Sequence, residues 1–216
     1  MSGSLADCAA VIFIGYTVPA DAEARGYSDW LVRVDNPFFN AIPGVRHYAN
    51  WRAGDMLEGE MPVWDYFDFH GIAAEEDLER VWFNSDLDAF RAEWLRLWGY
   101  GSGPTAPVLR HAYLMRLARR RMEHVPGPEI TLRGGVGAVP QDLSADLVFQ
   151  VDGVLKKHFA STGPRPDDWL TPVAEGNPLG FDWLAITYGS SGDESPSLME
   201  MRASLIAEPP VKSAEI

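Results

Sequence analysis

Hydrophobic residues in the first half of the chain change period several times, and each change marks an element. Ala9-Ala-Val-Ile-Phe-Ile-Gly-Tyr-Thr-Val18 is a nearly continuous apolar run rich in β-branched and aromatic residues. Such a run suits a central strand covered on both faces. Pro19 and Asp21 end it. Trp30, Leu31 and Val34 then recur at helical spacing, so a helix beginning at Ala22 or Tyr27 is expected to reach Val34. Asn36-Pro37 is expected to interrupt it, because the residue before a proline avoids the α region. A further turn over Phe38 to Ile42 ends at Pro43-Gly44. Val45 to Arg52 alternates, with Val45, His47, Ala49 and Trp51 on one face and Arg46, Tyr48, Asn50 and Arg52 on the other. Gly54 to Met61 reads as a loop. Val63 to His70 alternates again: Val63, Asp65, Phe67 and Phe69 share one side, while Trp64, Tyr66, Asp68 and His70 share the other. The first set suits packing under helices. The second mixes aromatic and ionisable groups, as a ligand-lined face would.

Ala73 to Phe83 fits either a short helix or an extra strand. Asn84-Ser85-Asp86 offers N-cap chemistry for a second helix carrying Leu87, Phe90, Trp94, Leu97 and Trp98 at helical spacing, with Gly99 as its stop. After a loop rich in Gly and Pro, Leu109 to Leu117 reads as a fourth strand. The second half is less periodic. Pro126 to Pro140 reads as loop, Ala145 to Phe159 as a helix whose first part is equally a strand, Pro164 to Pro178 as loop, Phe181 to Tyr188 as a strand, and Leu198 to Ile206 as helix or strand.

The order strand–helix–strand–strand–helix–strand predicts an α+β fold, a ferredoxin-like β-α-β-β-α-β unit over residues 9–118. Residues 119–216 are expected to be a C-terminal extension, read as a degenerate second half packed on the first. The composition, 46% hydrophobic and 23% charged over 216 residues, is that of a globular chain. A formal net charge of -13 argues against nucleic acid as a partner, since phosphate backbones repel an acidic chain. The one basic run, Arg116 to Arg121, reads as a solvated strand end. Cys8 is the only cysteine, so neither an internal disulfide nor a cysteine-based metal site is expected. The N-terminus lacks a basic region followed by a long apolar core, and no apolar run is long enough to span a bilayer. A cytoplasmic location without membrane contact is therefore expected. The 8 Trp, 7 Tyr and 10 Phe lie largely between Tyr27 and Tyr113, where they form either core or the wall of a pocket for a flat organic ligand.

Several pieces resemble one family. They are Asn36-Pro37 followed by Ile42-Pro43-Gly44-Val45, the Tyr48-Ala-Asn-Trp51 strand, and Val81-Trp-Phe-Asn-Ser85 leading into Phe90-Arg-Ala-Glu-Trp94 and Trp98-Gly99. On these, residues 9–118 resemble the dimeric α+β barrel superfamily, in its EthD-like and REDY-like HapK branches. The resemblance implies a homodimer or pseudo-dimer whose barrel lumen takes a small hydrophobic or aromatic ligand, usually without a cofactor. Relatives include cyclases, lyases, isomerases and monooxygenases acting on aromatic or polyketide-like compounds. The chain departs from the family at Asp35, where members often carry His.

Histidine titrates near neutral pH, which makes it the first candidate for acid–base work. His47, His70 and His111 fall on expected strands, where a histidine is as a rule a hydrogen-bonded core or surface residue. Tyr66, Asp68 and His70 project from one strand face. A carboxylate beside an imidazole orients it as a base, and a phenol can donate to a developing oxyanion. The same residues fit a polar strip at the sheet's mouth or a dimer contact. The leading expectation is a cofactor-independent lyase, isomerase or cyclase working by proton transfer in the lumen. Its catalytic residues would be His70, Asp68, Tyr66 and His47, with Trp64, Trp51, His111, Tyr113 and Phe13 lining the substrate. A non-catalytic binding or carrier protein for a hydrophobic intermediate is the alternative, and a haem- or metal-dependent oxidoreductase the third reading. No metal-ligand spacing supports the last, and Arg133-Gly-Gly-Val-Gly137 lacks the Lys-Ser/Thr of a phosphate loop.

Overall fold

A computed structural model of the chain describes residues 4–59, 64–99, 110–155, 169–172, 181–189 and 199–208, with backbone only at 56–59 and 110–111. The strands are β1 (Ala10–Tyr16), β2 (Val45–Gly59), β3 (Tyr66–Ile72), β4 (Arg110–Arg120), β5 (Glu129–Gly135), β6 (Leu147–Leu155), β7 (Leu170–Pro172), β8 (Trp183–Tyr188) and β9 (Met199–Ala207). They form one antiparallel sheet in the order β4-β1-β3-β2-β9-β5-β8-β6, and β6 pairs back onto β4 from Tyr113↔Val154 to Arg120↔Leu147. The sheet is thus an eight-stranded closed barrel. β7 pairs with β6 at Gly153 to Leu155, past the end of β8.

This overturns the expected α+β class. The first four strands are not a separate ferredoxin-like sheet: β2 continues into β9 and β4 into β6, so residues on both sides of 118 share one barrel. Helices are a minor component, the longest being thirteen residues. The dimeric (or pseudo-dimeric) α+β barrel description falls with the class, because strands dominate the described residues and the helices are short. Closure gives each of the eight barrel strands a neighbour on both sides over part of its length, which limits the usual hazard of sheet extension. Each half contributes four strands in one connection order, β4-β1-β3-β2 and β9-β5-β8-β6.

The barrel interior is found from the one apolar cluster that draws on all eight strands. It includes Phe13 of β1, Trp51 of β2, Phe67 and Phe69 of β3, Tyr113 of β4, Leu132 of β5, Phe149 of β6, Ile186 of β8 and Met201 of β9. All are buried to 5% exposure or less. An eight-stranded barrel is just wide enough for such side chains to fill it, and here they do. A second cluster lies outside the barrel, between β1–β4 and the helices α1 (Tyr27–Trp30), α2 (Asn36–Ala41), α3 (Asp77–Trp82) and α4 (Asp86–Trp98). It holds Ile12, Ile14, Tyr16, Tyr48 and Tyr66. The face assignment of β3 is therefore reversed. Its odd-numbered residues fill the barrel, and Tyr66, Asp68 and His70 face the helices.

Four element expectations also change. The Gly/Pro-rich stretch Pro126 to Pro140 contains β5 between its prolines, and Ala145 to Phe159 supplies a strand. The expected loop from Gly54 continues β2 to Gly59 because β9 pairs with it. Asn36-Pro37 does not break the helix. A π-helical turn, Leu31–Asp35, joins α1 to α2 and places Pro37 in the first turn of α2, where a missing N–H costs nothing. No helix among the described residues is long and apolar enough to cross a membrane.

Candidate functional site

The interface between sheet and helices holds polar groups that a purely packing layer would not. Register brings them together. Asn50 of β2 is paired with Asp68 of β3, Tyr48 with His70, and Ile14 of β1 lies across from Asp68. Even-numbered side chains of three adjacent strands thus project to one side. The π turn supplies the fourth member by ending on Asp35. π turns are rare and recur at functional sites. Asp35, Asn50 and Asp68 are exposed by 4%, 0% and 4%.

Two carboxylates meet at one phenol. The Tyr48 hydroxyl lies 2.8 Å from Asp35 Oδ2 and 3.0 Å from Asp68 Oδ2. Asn50 Nδ2 donates to Asp35 Oδ2 at 2.8 Å and to Asp68 Oδ1 at 2.9 Å, and the Tyr16 hydroxyl donates to Asp68 Oδ1 at 3.3 Å. Asn50 is fixed in turn by Asn36, whose Nδ2 donates to its Oδ1 and to the Tyr48 carbonyl, both at 3.1 Å. Asn40 Nδ2 donates to the same carbonyl, and its Oδ1 accepts from Tyr48 N–H. Burial, then the negative charge of Asp35 and Asp68, holds the Tyr48 phenol well above its ordinary range. Burial followed by Asp68 does the same to Tyr16. Both phenols therefore stay protonated and act as donors. A phenol carries one proton, so it cannot donate to two carboxylates at once.

These groups border a narrow cavity of about 20 Å³, room for a water molecule. Phe39, Phe90, Trp94 and Arg91 complete its wall. Arg91, on α4, is 6% exposed, lies over the Trp82 ring at 5.6 Å, and is 3.5 Å from Asp88. It sets a buried cation at the same cavity as the two carboxylates. A metal ion does not suit this donor set, because the Asn50 N–H groups fill the place between the carboxylates. Among the described residues no group of three His, Cys, Asp or Glu could hold one.

The sequence-derived candidates divide. Asp68 is at the centre of the network. His70 is buried beside it, edge-on to Phe39 at 5.3 Å and to Tyr48 at 5.4 Å, and does not border the cavity. Tyr66 stacks on Tyr16 at 6.0 Å and reaches the barrel mouth, where its hydroxyl donates to Glu23 and accepts from Arg52 at 3.2 Å. Burial and the Glu23 hydrogen bond push it up to about 12. His47 lies on the opposite face of the sheet, next to Gly71 and Cys8, so it does not meet His70. Phe13, Trp51, Trp64 and Tyr113 are barrel core, with Phe13 centred 5.0 Å from Trp64 and 6.4 Å from Tyr113. His111 pairs with Gly15 through its backbone, and its side chain, like the whole of His158, lies outside the described residues. Asp35, Tyr48, Asn50, Asn36, Tyr16 and Arg91 were not among the candidates. The alternation of β2 did put Tyr48 and Asn50 on one face, but only the strand register joins that face to Asp68.

No family model, curated protein or solved structure matches the chain. The reading of function therefore rests on the geometry.

Proposed function

We propose that this protein is a cofactor-independent enzyme that moves a proton on a small carbonyl compound, with Asp35 and Asp68 as its acid–base pair. One observation carries the reading: two buried carboxylates converge on one phenol at the wall of a cavity that also holds a buried guanidinium. Like charges this close in a dry site do not both ionise readily, so the pair holds one proton between its members. The ionised member takes a proton from the carbon next to the carbonyl. The C–H electron pair moves onto the carbonyl oxygen, and Arg91 with the Tyr16 or Tyr48 hydroxyl stabilises the resulting enolate. Return of the proton to another carbon gives an isomer; when the C=O re-forms and a substituent on the β carbon leaves with its bonding pair, a protonated carboxyl gives that group its proton and the step is a lyase's. Phe39, Phe90 and Trp94 supply a wall for a flat apolar body. The cavity holds only water when closed, so the substrate enters by an outward movement of α4, which carries three of its wall residues. The resemblance to EthD-like proteins agrees with this chemistry but places the work in the lumen, which side chains fill here.

The test is hydrogen–deuterium exchange in D₂O, followed by proton NMR, over a panel of aryl ketones and β-dicarbonyl compounds. Exchange faster than buffer is expected for a subset, falling by about 10²-fold or more in Asp68→Asn and Asp35→Asn. A panel that exchanges at the buffer rate, or exchange unaffected by both substitutions, overturns the assignment and leaves a non-catalytic carrier as the better reading.

A further inference from the structure

At the mouth of the barrel, away from the acid–base pair, lies an open cleft of about 520 Å³, within the range of small-molecule sites. Its charged groups are Glu23, Asp65 and Arg52, with the Tyr66 and Thr17 hydroxyls beside them, and Val18 and Ala53 are among its apolar ones. The polar groups are held in place and only partly used. Glu23 Oε1 takes the Tyr66 hydroxyl, the Ser28 hydroxyl at 2.7 Å and Arg52 Nη2 at 2.5 Å, so three donors converge on one oxygen. Among the described residues Glu23 Oε2 has no hydrogen-bond partner. Asp65 Oδ2 caps the Val18 N–H at 2.8 Å, and its Oδ1 is unused in the same sense. Arg52 lies over the Tyr66 ring at 5.7 Å and spends only Nη2 on Glu23 and Tyr66, leaving Nε–H and Nη1–H. Burial works to raise the Glu23 carboxyl, but the hydrogen bonds from Tyr66 and Ser28 and the Arg52 charge outweigh it and hold it below its usual range.

The cleft therefore offers two acceptor oxygens, the separate Nε–H and Nη1–H donors of Arg52, two negative charges and one positive. A plain anion meets an excess of negative charge there. A protonated amine satisfies the two carboxylates, and an acceptor close to the amine satisfies Arg52. We propose that this cleft binds a primary amine carrying an adjacent carbonyl or carboxylate and a short apolar side chain, the chemistry of an amino acid or its amide. The ammonium sits between Glu23 and Asp65, the carbonyl oxygen takes one remaining N–H of Arg52, and the side chain lies on Val18 and Ala53.

Isothermal titration with leucinamide, leucine, 3-methylbutylamine and N-acetylleucine tests the assignment. Leucinamide and leucine should bind best, 3-methylbutylamine more weakly for want of an acceptor, and N-acetylleucine least for want of the cation. Glu23→Gln and Asp65→Asn keep the hydrogen bonds of Oε1 and Oδ2 while removing charge. Each should weaken leucinamide by about tenfold or more, with the fold checked by circular dichroism. N-acetylleucine matching leucinamide, 3-methylbutylamine matching it, no amine binding below about 10 mM, or variants that bind as tightly as the parent would each overturn the proposal. The titration reads binding alone, so its outcome is separate from the deuterium exchange that tests the acid–base pair.

Discussion

Removing a single oxygen at Tyr48 is the sharpest perturbation of the buried network. Tyr48→Phe keeps the ring, which stacks on Phe39 at 4.3 Å with planes 16° apart, so packing is unchanged and the variant reads the hydroxyl alone. The hydroxyl serves Asp35 at 2.8 Å and Asp68 at 3.0 Å. A hydrogen bond to a charged group contributes about 1.5–3 kcal/mol, and a buried acceptor deprived of its donor adds a desolvation penalty. A loss of about 2–4 kcal/mol near neutral pH follows, or a fall in Tm of roughly 5–15 °C for a chain of this size. Urea unfolding of parent and variant at about pH 7 measures it. A deficit under about 0.5 kcal/mol would refute a buried phenol hydrogen-bonded to this pair.

Two further outcomes check the barrel and its rim. Phe13 is fully buried among Trp64, Phe67, Phe69 and Tyr113, so Phe13→Ala should cost about 3–5 kcal/mol in urea unfolding, and a cost below about 1 kcal/mol would mean the interior is not close-packed. Burial, opposed by Arg46 and aided by Asp7, pushes the Cys8 thiol up to about 12, so a disulfide reagent at about pH 8 should label the folded protein at least about 100-fold more slowly than the urea-unfolded chain; equal rates would falsify that environment.

Local pattern made some elements legible and hid others for identifiable reasons. The run from Ala9 announced β1, and the spacing from Leu87 to Trp98 with Gly99 as its stop announced α4. β5 was hidden because its seven residues sit in a stretch crowded with Gly and Pro, and its pairing comes from β8 and β9, far along the chain. The class was misread because closure depends on β2 meeting β9 and β4 meeting β6, which no short window contains. The faces of β3 were assigned the wrong way round because both are buried, so alternation separates the two sets without saying which is inside. Of the two buried carboxylates, Asp68 stood out by sharing a strand face with His70. Asp35 did not, because its position depends on a wider turn than regular helical periodicity describes.

That wider turn makes the site sensitive to the length of the chain. α2 is fastened to β2 by Asn36 and Asn40, while Tyr27 upstream is fastened to α4 by the Trp94 indole N–H at 3.2 Å. Leu31–Asp35 takes up the mismatch between these two anchors with one surplus residue. Inserting one further residue there, beyond the surplus that the turn absorbs, would swing one anchor about 100° around the axis. The barrel would survive, since none of its strands is involved, but the two acids could no longer face each other. An in-frame gain of one codon would thus separate folding from function in a way that no side-chain replacement does.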